Sequence, residues 1–236
     1  MATDVSGDRI RAIYERRAAT YDRTVGFGER WLLGNLRQTF GTALRGETLE
    51  VAIGTGLNLP YYTAAVTDAV GIDLSPGMLS RARERAGDLG VAISLVSGDA
   101  DRLPFADASF DTVAISLALC TVPEPAVALQ EMARVCRPDG RIVLLEHVRS
   151  PVGLVYGAER LLSPLQERLI GCHLTRETID TARKLGFTIE SEERRLFAVF
   201  RLVVARPPRA MSERQPVAAI GRSATSHPAR QAAPGS

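Results

Sequence analysis

Short apolar runs alternate with amphipathic stretches through the middle of the chain. The run at 49–53 ends in Gly-Thr-Gly, the run at 69–72 stops at Asp73, and 91–96 is rich in β-branched residues. Two more follow at 110–117 and 141–146. Runs this short, bounded by Gly, Asp and Pro, predict strands. Helix signals fall between them. Ser75 is placed to cap a helix with Pro76 at its first position and Gly87 near its end. Pro125 opens a segment whose Leu129, Met132, Ala133 and Cys136 share one helical face. Arg-Pro-Asp-Gly at 137–140 then predicts a turn.

Alternation of this kind implies a parallel sheet covered on both faces, with ligands at the carboxyl ends of its strands. Near the C-terminus, 187–192 and 196–205 read as strands separated only by Glu193, Arg194 and Arg195. So short a link fits an antiparallel hairpin. The expected fold class is therefore α/β: a doubly wound, seven-stranded, mostly parallel sheet with a C-terminal antiparallel hairpin, spanning 46–206. Residues 1–45 and 149–174 have helical periodicity without a place in the sheet, and both are expected to cover the strand ends. The second cover is apolar, with Leu154, Val155, Leu161, Leu162, Leu165, Leu169 and Ile170. From Pro207 the chain turns to Pro, Ala, Ser and Arg, a composition that predicts a disordered tail over 207–236.

Composition narrows the partners. With 45% apolar residues the chain can bury one sizeable core. The formal net charge is +2, and the tail holds four Arg against one Glu, leaving −1 for the rest. No run of five like charges occurs, so no nucleic-acid partner is expected and a small molecule is. Cys120, Cys136 and Cys172 lack metal-ligand spacing and predict buried thiols in a reducing compartment. No metal is expected. The first residues are polar, without the apolar core of a signal peptide. The longest low-polarity stretch, 112–122, is well short of the ~20 residues that cross a bilayer. These features predict a cytoplasmic protein with no transmembrane segment, with peripheral membrane contact left open.

The chemistry concentrates in the segment from Leu49 to Asn58. A strand running into Gly54-x-Gly56 brings bare backbone and free N–H groups close to a ligand. Asp73 follows at the next strand end, 17 residues after Gly56, where a carboxylate can accept both hydroxyls of a ribose. A dinucleotide fingerprint would require glycine at position 59, where Leu59 stands.

Taken in order, the segment Glu50 to Gly56, then Asp73, then Gly98-Asp99-Ala100 with Leu103-Pro104-Phe105, resembles the class I S-adenosylmethionine (SAM)-dependent methyltransferases. The resemblance covers roughly 45–205 and implies SAM as cofactor. It implies that Glu50, Gly54 and Gly56 form the site for the methionine end and that Asp73 grips the ribose. Leu74 and Met78 would flank the adenine beside Asp99 and Ala100, and Ser116 with Leu117 would line the donor side. Tyr21, followed by Asp22, would close over the cofactor. One position departs from the pattern: Ala52 stands where the family carries its first glycine.

If the acceptor needs a base, His147 at the end of the fifth strand and His173 in the second cover are the catalytic candidates. Within the class the chain is similar to quinone C-methyltransferases, bacterial phospholipid N-methyltransferases and thiol S-methyltransferase-like proteins. The thiol group is carried by residues 117–122, Glu146-His147-Val148 and 171–177. This implies a small lipophilic acceptor, a thiol, quinol or phospholipid amine. The alternative is a protein that binds SAM without catalysis.

Overall fold

The computed structural model describes residues 7–208, with 26–30 as backbone only. Residues 209–236, nearly all of the expected tail, lie outside the described residues. Seven strands form one sheet: β1 (Gly46–Val51), β2 (Val66–Asp73), β3 (Ser94–Ser97), β4 (Phe110–Ser116), β5 (Cys136–His147), β6 (Thr188–Arg195) and β7 (Phe200–Arg206). Their spatial order is β3-β2-β1-β4-β5-β7-β6. Strands β1 to β5 are parallel, and β7 runs antiparallel to both β5 and β6. The order reverses between β1 and β4. At such a switch point the connections leave in opposite directions and a crevice opens beyond the strand ends.

Among the described residues seven α-helices surround the sheet: α1 (Gly7–Arg17), α2 (Tyr21–Leu33), α3 (Leu36–Ala43), α4 (Pro76–Leu89), α5 (Pro125–Val135), α6 (Gly153–Ile170) and α7 (Thr178–Lys184). Period-two alternation sends Val113, Ile115, Ile142 and Leu144 to the layer that holds Leu129, Met132 and Ala133 of α5 with Ile179 of α7. Ala114, Val143 and Leu145 point the other way, into a layer with Leu36 and Phe40 of α3. Both faces of the central strands are thus buried, which is why they read as unbroken apolar runs. Each fully buried large side chain contributes roughly 1.5–3 kcal/mol.

Helix α4 starts as expected, with Ser75 Oγ accepting from the Met78 N–H at 3.2 Å, and Gly87 falls in its last turn. Gly90 sits at φ +65°, and its N–H returns to the carbonyls of Ala86 and Gly87. The turn at 137–140 is absorbed into β5, whose pairing passes directly from Cys136 to Arg141. The unpaired residues form a bulge held by Arg137, which bridges Asp111 at 2.5 Å and Glu47 at 2.8 Å. In the hairpin, 196–199 is turn and not strand. Leu196, Phe197 and Ala198 take φ of +50°, +54° and +60°, a conformation their residue types do not announce.

Helix α6 also differs from the cover expected over 149–174. Its only buried residue is Glu159, while Leu154 and Leu161 are 89% and 80% exposed. No described helix is long and apolar enough to cross a membrane.

Candidate functional site

A deep cavity opens at the carboxyl ends of β1, β2, β3 and β4, with α1 and Tyr21 of α2 along its other side. The β1–α4 side begins with the tight turn after β1. Gly54 lies at φ +59° and Gly56 at φ +76°, conformations that suit glycine. A Cβ on Gly56 would stand 2.7 Å from Leu59 Cδ1, whereas one on Gly54 would meet nothing within 4 Å. Gly54 therefore borders open space on the cavity wall.

Asp73 closes this turn from the next strand. Its Oδ2 accepts the Gly54 N–H at 2.8 Å and its Oδ1 accepts the Ser75 N–H at 2.9 Å. Burial raises the pKa of this carboxyl above its ordinary value, and the N–H groups of Ser75, Gly54 and Leu74 oppose that rise. Each oxygen keeps acceptor capacity on the cavity side. Leu74, Met78, Asp99, Ala100, Ser116 and Leu117 line the same cavity, as does Tyr21. Asp99 Oδ1 accepts from the Asp101 N–H at 3.1 Å. A carboxylate for a ribose, an apolar slot beside a second carboxylate and a bare glycine turn fit an adenosyl group with an amino-acid end.

Two of the expected cofactor residues are not on the cavity wall: Gly56, which packs against Leu59, and Glu50, which is fully buried. Its Oε1 accepts from Asn58 Nδ2 at 2.6 Å and its Oε2 from Tyr62 OH at 2.6 Å. Asn58 also donates to Ser116 Oγ at 2.7 Å and accepts from Arg37 at 2.5 Å. Through Asn58, Glu50 ties the β1 turn to the end of β4 and to α3. Burial raises its pKa, while the donors from Tyr62 and Asn58 lower it.

Two wall residues hold strained backbone. Ala52 lies at φ +52° and Leu117 at φ +52°. After Leu117 the chain turns so that the N–H groups of Ala118 and Leu119 both reach Glu146 Oε1 at 3.1 Å. Glu146 is fully buried, and its Oε2 has no hydrogen-bond partner. Burial pushes its carboxyl up to about 7 against the pull of these amides. It sits behind the wall as an anchor for the β4 loop.

Helix α1 supplies residues that the sequence did not single out as cofactor contacts. Gly7, Ile10, Arg11 and Tyr14 line the cavity. Glu15 reaches the start of α4, where its Oε2 accepts from Ser75 Oγ at 2.6 Å and from the Gly77 N–H at 2.9 Å. A carboxylate there satisfies free N–H groups and matches the helix dipole, so α1 is docked and not merely adjacent. On α2, Asp22 accepts from Thr55 Oγ1 at 2.7 Å and pairs with Arg85 at 2.6 Å. This holds the neighbouring Tyr21 over the glycine turn.

The two histidines lie elsewhere. His147 packs edge-to-face on Phe200, with ring centroids 5.5 Å apart, and burial lowers its pKa to about 4. His173 faces Glu167 Oε2 at 3.5 Å, and burial lowers its pKa as well. Neither is on the cavity wall, and no residue of 149–174 is. Cys120 and Cys172 pack in one buried cluster, the Cys120 thiol donating to the Leu117 carbonyl at 3.8 Å, and all three cysteines are buried and free.

Residues 49–144 match a family model described as a methyltransferase domain. A demethylmenaquinone methyltransferase of Beutenbergia cavernae is 34% identical over 166 residues, covering 66% of this chain and 67% of that protein. The chain belongs to the SAM-dependent methyltransferases. A phosphatidylethanolamine N-methyltransferase of Cereibacter sphaeroides is 41% identical over 130 residues, 54% of this chain and 63% of that protein. The chain spans between 60% and 63% of the length of that protein and two similar demethylmenaquinone methyltransferases. A SAM-dependent methyltransferase structure from Thermotoga maritima shares the fold, with TM-score 0.63 and 22% identity over 84% of this chain and 99% of that one. The matched part of the chain runs from β1 into β5 and carries Gly54, Asp73, Asp99 and Ser116. Helices α1, α2 and α6 lie outside it.

Proposed function

We propose that this methyltransferase binds SAM in the β1–β4 cavity and transfers its methyl group to a small lipophilic acceptor of the quinol, phospholipid-amine or thiol kind. The observation that carries the reading is Asp73: a half-buried carboxylate with each oxygen fixed by one backbone N–H and both oxygens still able to accept from a ribose. Asp99 and Ala100 then take the adenine edge, with Leu74 and Met78 beside the ring. Gly54 leaves room for the amino-acid end. When bound, SAM supplies a sulfonium-activated methyl group open to attack by a nucleophile. The chain's own task is to hold two reactants in line and keep water out, which requires position more than acid–base groups. Ser116 and Leu117 hold the floor of the site, and α1 covers it.

The acceptor class is supported by the named relatives, which methylate a phospholipid amine and a demethylmenaquinone by their descriptions. The wall residues Ile10, Tyr14, Val122 and Pro123 add apolar surface to the cavity. The test is to incubate the protein with methyl-labelled SAM and phosphatidylethanolamine, a demethylmenaquinol or a long-chain thiol, then count label in the organic extract. Label is expected with at least one acceptor, and at limiting SAM at least about tenfold less of it with Asp73→Ala. Turnover of a polar metabolite alone would refute the lipophilic acceptor. SAM binding without turnover of any compound would favour the non-catalytic reading, to which Ala52 at the first glycine position lends its only support.

A further inference from the structure

Helix α6 is built inside out. Its inward contacts are made by carboxylates: Glu159 Oε2 accepts from the Ser150 N–H at 3.0 Å, and Glu167 faces His173. Its leucines point away from the protein. At about 100° per residue, positions 154, 158, 161, 165 and 169 form one stripe. Along it Leu154, Leu161, Leu165 and Leu169 are 56–89% exposed. Arg168 is exposed beside the stripe and Arg160 is exposed on the flank away from it, while both acidic residues of the helix turn inward. The outward surface is therefore apolar, with a cation at its edge and no acid on it.

Two further large apolar side chains are exposed near the start of the helix. Trp31 is 74% exposed and Phe197 65% exposed. Arg195 donates to the carbonyls of Leu32 at 2.8 Å and Trp31 at 3.3 Å, and Ser150 Oγ donates to the Phe197 carbonyl at 2.9 Å. These bonds gather Trp31 and the strained Leu196–Ala198 turn at the start of α6. At its other end, Gly171 packs so closely on Ile10 of the cavity wall that a Cβ there would collide.

We propose that the outward face of α6, with Trp31 and Phe197 at one end, docks on an anionic lipid bilayer. An interfacial helix needs an apolar stripe flanked by cations, and an anionic surface satisfies both. A second copy fits less well, because a twofold contact would set this face against itself with no exposed acid of α6 to pair with the cation at its edge. Docking itself stands apart from the chemistry. Its purpose, to bring the α1 side of the cavity to a membrane that holds the acceptor, rests on the proposed function.

The test is co-sedimentation of the full chain with vesicles of phosphatidylcholine, alone or mixed with phosphatidylglycerol. The protein is expected to pellet with the mixed vesicles and to stay in solution with phosphatidylcholine alone. A double variant, Leu161→Ser with Leu165→Ser, should lose at least about tenfold in partitioning, since each leucine loses apolar contact. Arg160→Gln with Arg168→Gln should lower binding to the mixed vesicles. Unchanged circular dichroism and S-adenosylhomocysteine affinity in the variants separate lost docking from lost folding. Equal partitioning of the leucine variant and the wild type would overturn the proposal. So would a wild type that stays in solution with both vesicles, or one that is dimeric where the leucine variant is monomeric. Vesicle binding without methylation of any of the three lipophilic acceptors would leave docking in place and remove the lipophilic-acceptor reading.

Discussion

Asn58 donates to Glu50 across 2.6 Å and so stands between that carboxylate and the cavity. Glu50 acts on the site by holding the side chain that holds the β1 turn, Ser116 and Arg37 together. It is a positioning residue.

Glu50→Ala should therefore damage the fold as well as the site. Asn58 and Tyr62 would each lose a buried acceptor, at about 1–3 kcal/mol apiece. Urea denaturation is expected to show a loss of ~2–4 kcal/mol, with SAM affinity falling about tenfold in the fraction that folds. Wild-type stability with loss of binding alone would place Glu50 in direct contact with the ligand.

Ala52 carries the opposite prediction. At φ +52° an alanine costs roughly 1–2 kcal/mol relative to the right-handed region, and glycine carries no such cost. Glycine also adds about 0.4–1 kcal/mol of unfolded-state entropy, so Ala52→Gly should stabilise by ~0.5–1 kcal/mol. A rise in the urea midpoint with unchanged slope is the expected result. A fall would mean that the alanine methyl packs usefully against its surroundings.

Glu146 should make stability depend on pH. Burial raises its folded pKa to about 7 from the ordinary 4.5, so the native state retains a proton that the unfolded state has lost. The sign follows from linkage: stability is fully present below about pH 4.5, declines as pH rises to about 7, and is level above that. Glu146→Gln keeps an acceptor for the Ala118 and Leu119 amides and does not titrate. The variant-minus-wild-type stability should thus move in favour of Gln across this window, by up to ~3 kcal/mol. A flat difference would show that Glu146 does not change protonation on folding.

The strands were legible because both faces of the sheet are buried, so each strand shows as a short apolar run between turn residues. The start of α4 was legible from Ser75 and Pro76 for an equally local reason. The hairpin turn was not, because Leu196, Phe197 and Ala198 are apolar residues in a conformation usually given to Gly or Asn. Periodicity marked the apolar stripe of α6 but carries no information about which side meets the protein. Its inward face turned out to be held by Glu159. Of the site, Gly54, Asp73 and Asp99 are visible because backbone geometry at strand ends requires them at fixed spacing. Asn58, Arg37 and Glu15 act across 21 to 60 positions of sequence, and no spacing pattern signals such contacts. The neighbouring Ser75-Pro76 start was the one hint that Glu15 had an N-terminus to meet.

The central claim is that Asp73 and the glycine turn hold the adenosyl end of SAM. Calorimetric titration of SAM and S-adenosylhomocysteine into the wild type and Asp73→Ala tests it most directly. Removing a carboxylate that accepts two ribose hydroxyls should weaken binding by about 1.5–3 kcal/mol, tenfold or more. Binding by the wild type at least tenfold tighter than by the variant is the predicted result. Equal affinity in the two proteins, or no binding by the wild type, would contradict the account.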